Sequence, residues 1–587
     1  MSFNKYFQEE LLYLREMGEE FARAYPKLAP FLARKGNDPD VERVLEGFAF
    51  IAGRIRQKLD DELPELTHTL LSLLWPHYLR PIPSMSILQF TPVASAVTEK
   101  KIVAKGIEVD SVAVDNTPCR FRTSSSVDLY PLSLDDLEVQ TTGASSVLKL
   151  TFQLNGGVGI ENIHLDKLRL FLHGELNICS SLYLWFFRHL DRITIQPAGA
   201  RKGDQKIHLP PTSVLPVGLT EEEELIPYHP NSFGGYRLLQ EYFSLPQKFL
   251  FVDLEGLQPV AHLPINDKFE VIFEFAKPLE GHVRLTKNNI RLFCTPIINI
   301  FEKDASPIRL NHEKVEYRVY ASGANSTHYE IFSIDKVTGW VHGTGDRKVY
   351  KPFISFDHRV DASDTQATFY RTRVYPSVIG RGVDTYLSFV TAADEKVIPS
   401  SETISIDLTC TNRSLPEKLR IGDVKTATNS SPEYVEFQNI LPMTRSIPPP
   451  LEGSLHWQLI SNMSLNYVSL ANVDAIRLIL STYNFPAYYD KQAARVNELR
   501  MEGIESINME TITLMFKGLP ARGVRTNLAM RSSKFSGEGD MYLFAVILNE
   551  FLSLYASVNS FNQLVAKDID RGEIYKWKPR IGQQPLI

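Results

Sequence analysis

Cysteine is scarce in this sequence and never clustered. The four cysteines, Cys119, Cys179, Cys294 and Cys410, lie far apart among 587 residues, and no two form a Cys-x-x-Cys pair. Such pairs are the local signature of zinc ribbons and thioredoxin-like redox sites. The sequence therefore excludes both as local motifs and predicts four buried thiols in a reducing compartment.

Long hydrophobic runs are also missing. The longest, Met541 to Leu548, is followed directly by Asn549 and Glu550. It is much shorter than the roughly 20 residues that a membrane-spanning helix needs. The opening residues include Glu9 and Glu10 and lack the apolar core of a signal peptide. We therefore expect a cytoplasmic protein without direct membrane insertion.

Basic residues do not outnumber acidic residues in this sequence. The formal net charge is −6, the sequence pI is about 6.2, and the basic runs do not exceed pairs such as Lys100-Lys101 and Arg201-Lys202. Because phosphate binding needs a basic surplus or patch, we expect no nucleic acid as the main partner.

Motifs that carry catalysis are absent as well. His312-Glu313 lacks the second histidine of a zinc-protease motif, no serine lies in G-x-S-x-G, and no glycine-rich phosphate loop with a lysine occurs. We therefore predict no catalytic, cofactor-binding or metal-binding residue, and no enzymatic activity. Asp357, Asp361 and Asp364 could mimic the paired carboxylates of a sugar-active enzyme, but their polar, turn-like surroundings favour a loop.

The patterning that is present predicts an α+β protein of several domains, because 587 residues exceed one hydrophobic core. The sequence predicts a helical arm over residues 1–83 and an α+β domain over residues 84–291. Short alternating segments with turns between them predict a β-sandwich over 292–447. The linker Pro448-Pro449-Pro450 precedes a C-terminal α/β domain, 453–587, which we expect to form a compact unit of its own.

The first 25 residues carry an apolar seam, which we call the N-terminal seam. Its members follow gaps of four and three: Phe7, Leu11, Leu14, Gly18, Phe21 and Tyr25. This spacing keeps one face of a helix against another helix. The pattern alone favours packing onto the chain's own downstream domain. A glycine in the seam favours close approach of a partner backbone instead, so both interpretations remain open.

Three further helices are predicted at particular places. Asp38-Pro39 reads as an N-cap with proline at the first helical position, opening a helix to Leu59. Tyr236, Leu239, Tyr242 and Phe243 recur at helical spacing, which predicts a buried helix face. Asp540 is expected to cap a C-terminal helix, Met541 to Tyr555.

Three stretches together resemble the TssF family, baseplate components of the bacterial type VI secretion system. The first is SFNKYFQEELLYLREMGEEFARAYPKLAPFL at residues 2–32, continued by the helical segment to Met85. The second is the aromatic stretch Pro227 to Phe243. The third combines Leu455-His456-Trp457 with the ending Lys578-Pro579-Arg580-Ile581-Gly582. Residues 300–440 match only loosely.

This resemblance implies a scaffold without catalysis or cofactor. It implies a baseplate wedge in which two copies of the chain join one TssG, with self-association inside the wedge. It also implies contacts to TssK, to TssE and to the spike hub protein, and that the N-terminal seam faces TssG or the second TssF copy. The alternative is a cytoplasmic carbohydrate-binding or carbohydrate-active β-sandwich protein. A glycan cleft usually needs exposed tryptophans, and the β-rich region contains only Trp185 and Trp340.

Overall fold

The computed structural model describes most of the chain. The described residues are 7, 8, 10–14, 17, 39–60, 68, 70–72, 75–93, 96–201, 203–228, 232–279, 284–311, 314–323, 325–341, 346–353, 368–377, 382–391, 402–451, 472–516, 519–556 and 560–582.

Six helices have defined bounds in the described residues. They are α1 (Pro39–Asp60), α2 (Leu176–Leu184), α3 (Gly234–Ser244), α4 (Val473–Tyr483), α5 (Lys491–Glu502) and α6 (Glu538–Leu554). A π-helical turn, Trp185–His189, follows α2 directly. Residues 7, 8, 10–14, 17, 68 and 70–72 are also helical. The predicted helix that begins at Pro39 is confirmed.

Strands dominate the rest of the structure. The first fifteen are β1 (Met85–Pro92), β2 (Lys101–Val103), β3 (Glu108–Val114), β4 (Thr117–Thr123), β5 (Val127–Leu129), β6 (Leu132–Thr141), β7 (Ser146–Leu154), β8 (Lys167–Leu172), β9 (Leu190–Pro197), β10 (Ile207–Leu209), β11 (Val214–Pro216), β12 (Phe251–Glu255), β13 (Lys268–Phe275), β14 (Ile290–Leu292) and β15 (Cys294–Ile298). The others are β16 (Phe301–Asp304), β17 (Ile308–Leu310), β18 (Tyr317–Arg318), β19 (Glu330–Val341), β20 (Arg347–Pro352), β21 (Thr368–Pro376), β22 (Val383–Thr391), β23 (Glu402–Thr411), β24 (Val424–Ala427), β25 (Val435–Asn439), β26 (Ile504–Phe516), β27 (Leu519–Met530), β28 (Phe561–Asp568), β29 (Ile574–Lys576) and β30 (Arg580–Ile581).

The described chain is thus α+β with several sheets and few helices, as predicted. It divides into two compact units, residues 1–79 with 450–464 and residues 80–449 with 465–587, where the sequence predicts four domains. The larger unit holds all of the range 84–447 and most of 453–587. That the four predicted domains each fold independently stays a prediction.

A six-stranded sheet joins distant parts of the chain in the order β24-β3-β4-β15-β1-β25. Strand β1 lies between β15 and β25, with Ser86 opposite Ile297 and Phe90 opposite Phe437. The ranges 84–291 and 292–447 therefore share a sheet. Two more antiparallel sheets, β10-β9-β13-β7-β6 and β11-β12-β8-β14, complete the first range together with the pair β2-β5.

Strands β16 to β23, which lie inside the predicted β-sandwich range, form an eight-stranded sheet in the order β16-β23-β19-β20-β21-β22-β18, with β17 also paired to β23. Buried side chains from both ends of this order, among them Phe301, Ile406 and Leu387, belong to one hydrophobic cluster. The sheet must therefore curve around a core of its own.

Helix α6 is the centre of the C-terminal part. It connects β27 to β28, which pair in parallel with Thr526 opposite Leu564, as a crossover requires. It packs on α2 and α3. The prediction that Asp540 caps this helix is wrong: the N-cap is Gly537 with φ 137°, and Asp540 lies inside the first turn, 1% exposed. Its carboxylate binds Arg500 instead.

We expect Gly539→Ala to disrupt the contact between α6 and α2. A Cβ at Gly539 would lie 2.4 Å from the carbonyl carbon and oxygen of Ser180 and 2.5 Å from the nitrogen of Ser181. These are backbone atoms, so one helix must move, and overpacking of this kind costs about 1–3 kcal/mol or more. Chemical denaturation measures the loss of unfolding free energy.

Gly143→Ala is the matched control, since its Cβ would meet nothing within 4 Å. Equal stability of the two variants would show that α6 does not pack tightly on α2.

All four cysteines are buried and free, as predicted. Burial raises the pKa of the Cys119, Cys179 and Cys410 thiols to about 12, and it also raises that of Cys294. Thiols that stay protonated at neutral pH are poor nucleophiles and poor metal ligands.

Candidate interaction surfaces

Helix α1 carries the most prominent exposed apolar surface of the smaller unit. We call it the α1 stripe; its members are Val44 (71% exposed), Phe48 (61%), Ile51 (59%) and Ile55 (57%). Their gaps of four, three and four place them along one face of the helix. Ala49 and Gly53, by contrast, are buried. The sequence groups the stripe with Leu45 and Ala52 as one apolar side, whereas the structure leaves those two half-buried and the stripe exposed.

A helix normally turns its widest apolar face inward. On α1 the small side chains are buried and the large apolar ones are exposed, which is typical of a helix that binds another surface. Periodicity alone identifies the apolar positions of α1, but it does not separate those that are covered from those that are exposed.

The N-terminal seam is described in part. Phe7, Leu11 and Leu14 are helical and half-buried, while Leu12 and Tyr13 beside them are 49% and 58% exposed. Gly18, Phe21 and Tyr25 lie outside the described residues. The assignment of the seam to a partner interface stays a prediction.

The aromatic stretch behaves as predicted for a buried helix face. Tyr236, Leu239, Tyr242 and Phe243 on α3 are all buried. The ring of Tyr236 stacks on Tyr483 with centroids 4.5 Å apart, and Tyr242 lies 5.8 Å from Phe544 of α6. This stretch therefore joins α3, α4 and α6 in the core and does not form an exposed site.

A buried ion pair holds the same region together. Lys248 donates to Glu241, whose other oxygen accepts from the backbone nitrogens of Leu225 and Ile226 at 2.8 and 2.9 Å. Burial lowers the pKa of Lys248, while the charge of Glu241 acts in the opposite direction. Every donor and acceptor in this group serves the fold, so it is not a free acid or base.

The acidic run from Glu221 to Glu224 begins with a 3-10 turn, Glu221–Glu223. Glu223 accepts from the Gly218 nitrogen at 2.7 Å, and Glu224 lies 3.0 Å from Arg237. These two carboxylates bind different parts of the fold and do not converge on one centre.

A pocket in the described residues lies beside β18, β22 and the end of β23. In it Arg318 and Arg413 bind the same carboxylate, that of Asp384, at 2.7 and 3.2 Å. Ser326 and Thr327 supply hydroxyl groups, but the lining contains no histidine, lysine or cysteine to act as a base. Asp357, Asp361 and Asp364 lie outside the described residues.

Within the described residues, no group of three or more His, Cys, Asp and Glu side chains is placed to hold a metal ion. No helix among them has the length and hydropathy that crossing a membrane requires.

The chain is similar to known proteins along nearly its whole length. The family model described as "Type VI secretion system, TssF" matches residues 1–584. The type VI secretion system component TssF1 of Pseudomonas aeruginosa is 30% identical over 632 aligned residues, which cover 99% of both chains.

Two solved structures are similar along most of their length. One is a chain of the TssK-TssF-TssG baseplate subcomplex of the type VI secretion system, determined by cryo-electron microscopy. It has a TM-score of 0.76 and 32% identity, with 92% of this chain and 99% of that chain covered. The other is a chain of the type VI secretion baseplate complex, with a TM-score of 0.65 and 30% identity over 100% of both chains.

The multi-sheet fold and these similarities define a structural component of a secretion machine. The chain belongs to the TssF family of the type VI secretion system. This assignment decides between the two functional hypotheses in favour of the assembly subunit.

Proposed function

We propose that this chain is a structural wedge subunit of the type VI secretion baseplate that assembles with TssG and TssK. The observation that carries the proposal is its likeness along 92% of its length to a chain of a TssK-TssF-TssG subcomplex. A subunit of this kind acts mechanically, by holding partners in place through several interfaces and transmitting their rearrangement when the sheath contracts.

The exposed α1 stripe supports an assembly role for the N-terminal helices. Burying four large apolar side chains would stabilise a contact by about 1.5–3 kcal/mol each. Such a stripe fits a helix of another subunit, because ridges of one helix pack into grooves of the next. We assign TssG as the occupant, and we place the N-terminal seam, Phe7, Leu11, Leu14, Gly18, Phe21 and Tyr25, in the same interface.

The finer assignments follow from the same family membership. Two copies of the chain join one TssG and contact each other inside the wedge; the wedge also contacts TssE and the spike hub protein. The chain works in the cytoplasm, needs no cofactor and catalyses no reaction. Its four buried free thiols fit a reducing compartment.

Co-expression with TssG, followed by native mass measurement, tests this function. We expect one complex that contains two copies of the 66.7 kDa chain and a single TssG. A complex with one copy would contradict the stoichiometry only. Absence of any complex, with both chains folded, would contradict the proposed function.

A further inference from the structure

The outer face of the eight-stranded sheet places three cations beside exposed aromatic side chains. We call it the basic-aromatic face; its members are Trp340, Arg347, Val349, Lys351, Phe353, Phe369 and Arg371. Trp340 is 47% exposed, Val349 53% and Phe353 42%. Nothing in the proposed wedge function uses this surface, which lies in the larger unit, away in sequence from the N-terminal helices.

Strand register places these residues on one side of the sheet. Trp340 of β19 lies opposite Arg347 of β20, and Lys351 of β20 lies beside Phe369 of β21. Successive side chains of a strand point to opposite faces, so Val349 and Arg371 share the side of Arg347 and Phe369. The intervening Tyr350 and Tyr370 are buried in the core on the other side.

The three cations of this face differ from other cations of the same sheet. Lys348 binds Glu402 at 2.7 Å, Arg373 binds Glu316 at 2.7 Å, and Arg318 binds Asp384 at 2.7 Å. Arg347, Lys351 and Arg371 form no salt bridge or side-chain hydrogen bond with any residue that the structure describes. A chain whose net charge is −6 thus brings together three cations that no carboxylate of the described residues pairs.

The two arginines are held in place by stacking. The guanidinium carbon of Arg371 lies 3.8 Å from the ring centroid of Phe353, and that of Arg347 lies 5.8 Å from the centroid of Trp340. Phe353 and Phe369 pack edge to face at 6.1 Å. A stacked guanidinium keeps the N–H groups at its edge free, and these fit a carboxylate with two parallel hydrogen bonds.

We propose that the basic-aromatic face docks an acidic, extended segment of a protein partner. Along β20 and the residue that follows it, the outward residues run cation, apolar, cation, aromatic from Arg347 to Phe353, a distance of about 20 Å at about 3.3 Å per residue. The complementary segment is an extended chain whose side chains on one face alternate acidic and apolar. Its acids bind Arg347, Lys351 and Arg371, and its apolar side chains cover Val349 and Phe353.

Nucleic acid fits this face less well than protein. Base stacking needs an open aromatic ring, and here arginines cover the rings of Trp340 and Phe353. The negative net charge of the chain also opposes a long polyanion.

The test uses the full chain and a fluorescein-labelled peptide. The peptide repeats the sequence Glu-Ser-Leu-Ser, so that glutamate and leucine alternate on one face of the extended chain. Fluorescence anisotropy measures its binding at low salt. The triple variant R347E/K351E/R371E should bind at least tenfold more weakly. The matched control R309E/K314E/K425E reverses three exposed cations elsewhere and should bind like the original chain.

Two further probes decide the chemistry. A peptide of the same composition with its glutamates contiguous should bind several-fold more weakly, because only the alternating order matches the face. An oligothymidylate that bound the original chain more tightly than the alternating peptide would identify a nucleic-acid surface and overturn the proposal. Absence of peptide binding, or equal loss in both triple variants, would overturn it as well.

Discussion

Replacing Phe48 and Ile51 together with aspartate is expected to abolish the complex with TssG while leaving the chain folded. Both side chains are more than half exposed, so their loss removes little from the core of the isolated chain. If they are buried in the complex, their loss costs about 1.5–3 kcal/mol each, which raises the dissociation constant roughly 10²- to 10⁴-fold. Two unpaired buried carboxylates weaken the contact further. A pull-down with TssG and circular dichroism of the isolated variant measure both effects.

Arg54→Asp is the matched control for this prediction. It changes the net charge by the same two units, at an exposed position of the same helix that is not a member of the α1 stripe. It should therefore leave the complex intact. Retention of the complex by Phe48→Asp with Ile51→Asp would rule out the α1 stripe as the TssG contact. Unfolding of that variant would show that the stripe serves the fold.

Replacing Arg500 with methionine is expected to lower the free energy of unfolding by about 3–5 kcal/mol, because it leaves a buried carboxylate without its partner. Arg500 and Asp540 are 5% and 1% exposed. They meet through three hydrogen bonds, from Nη2 to Oδ1 at 2.9 Å, from Nη2 to Oδ2 at 3.1 Å and from Nε to Oδ2 at 3.2 Å. The pair ties α5 to the first turn of α6, and Asn497 also contacts Arg500 at 3.0 Å. Chemical denaturation gives the free energy.

Two companion variants separate the pair from its surroundings. Arg500→Met combined with Asp540→Leu should recover more than half of the loss, since no uncompensated charge remains. Arg495→Met removes an exposed salt bridge to Glu498 on the same helix and should cost less than about 1 kcal/mol. A single Arg500→Met variant as stable as the original chain would show that Asp540 is satisfied without the guanidinium.

Local patterns determined many individual elements. Asp38-Pro39 predicted the start of α1, and the structure begins that helix at Pro39. The spacing of Tyr236, Leu239, Tyr242 and Phe243 predicted a buried face, and all four are buried. These successes share a cause: proline geometry and helical periodicity act over a few residues, so they are visible in the sequence itself.

The candidate surfaces were predictable only in part. Helical periodicity predicts which positions of α1 are apolar. Their exposure, however, depends on what packs around the helix. The basic-aromatic face has a weaker signal in the sequence, which is the alternation of Arg347, Val349, Lys351 and Phe353 along β20 and the residue after it. Its third cation, Arg371, comes from another strand, and the stacking of Arg371 on Phe353 follows from the pairing of β20 with β21.

By itself the sequence determined the α+β class, the absence of local catalytic motifs and, through three stretches, the resemblance to the TssF family. Tertiary structure alone decided which elements meet. Strand β1 pairs with β25 about 350 residues away, Asp540 meets Arg500 instead of capping its helix, and α6 packs among α2 and α3. The physical reason is that alternation specifies the faces of a strand and periodicity the faces of a helix. The partner of each face depends on packing across the whole chain.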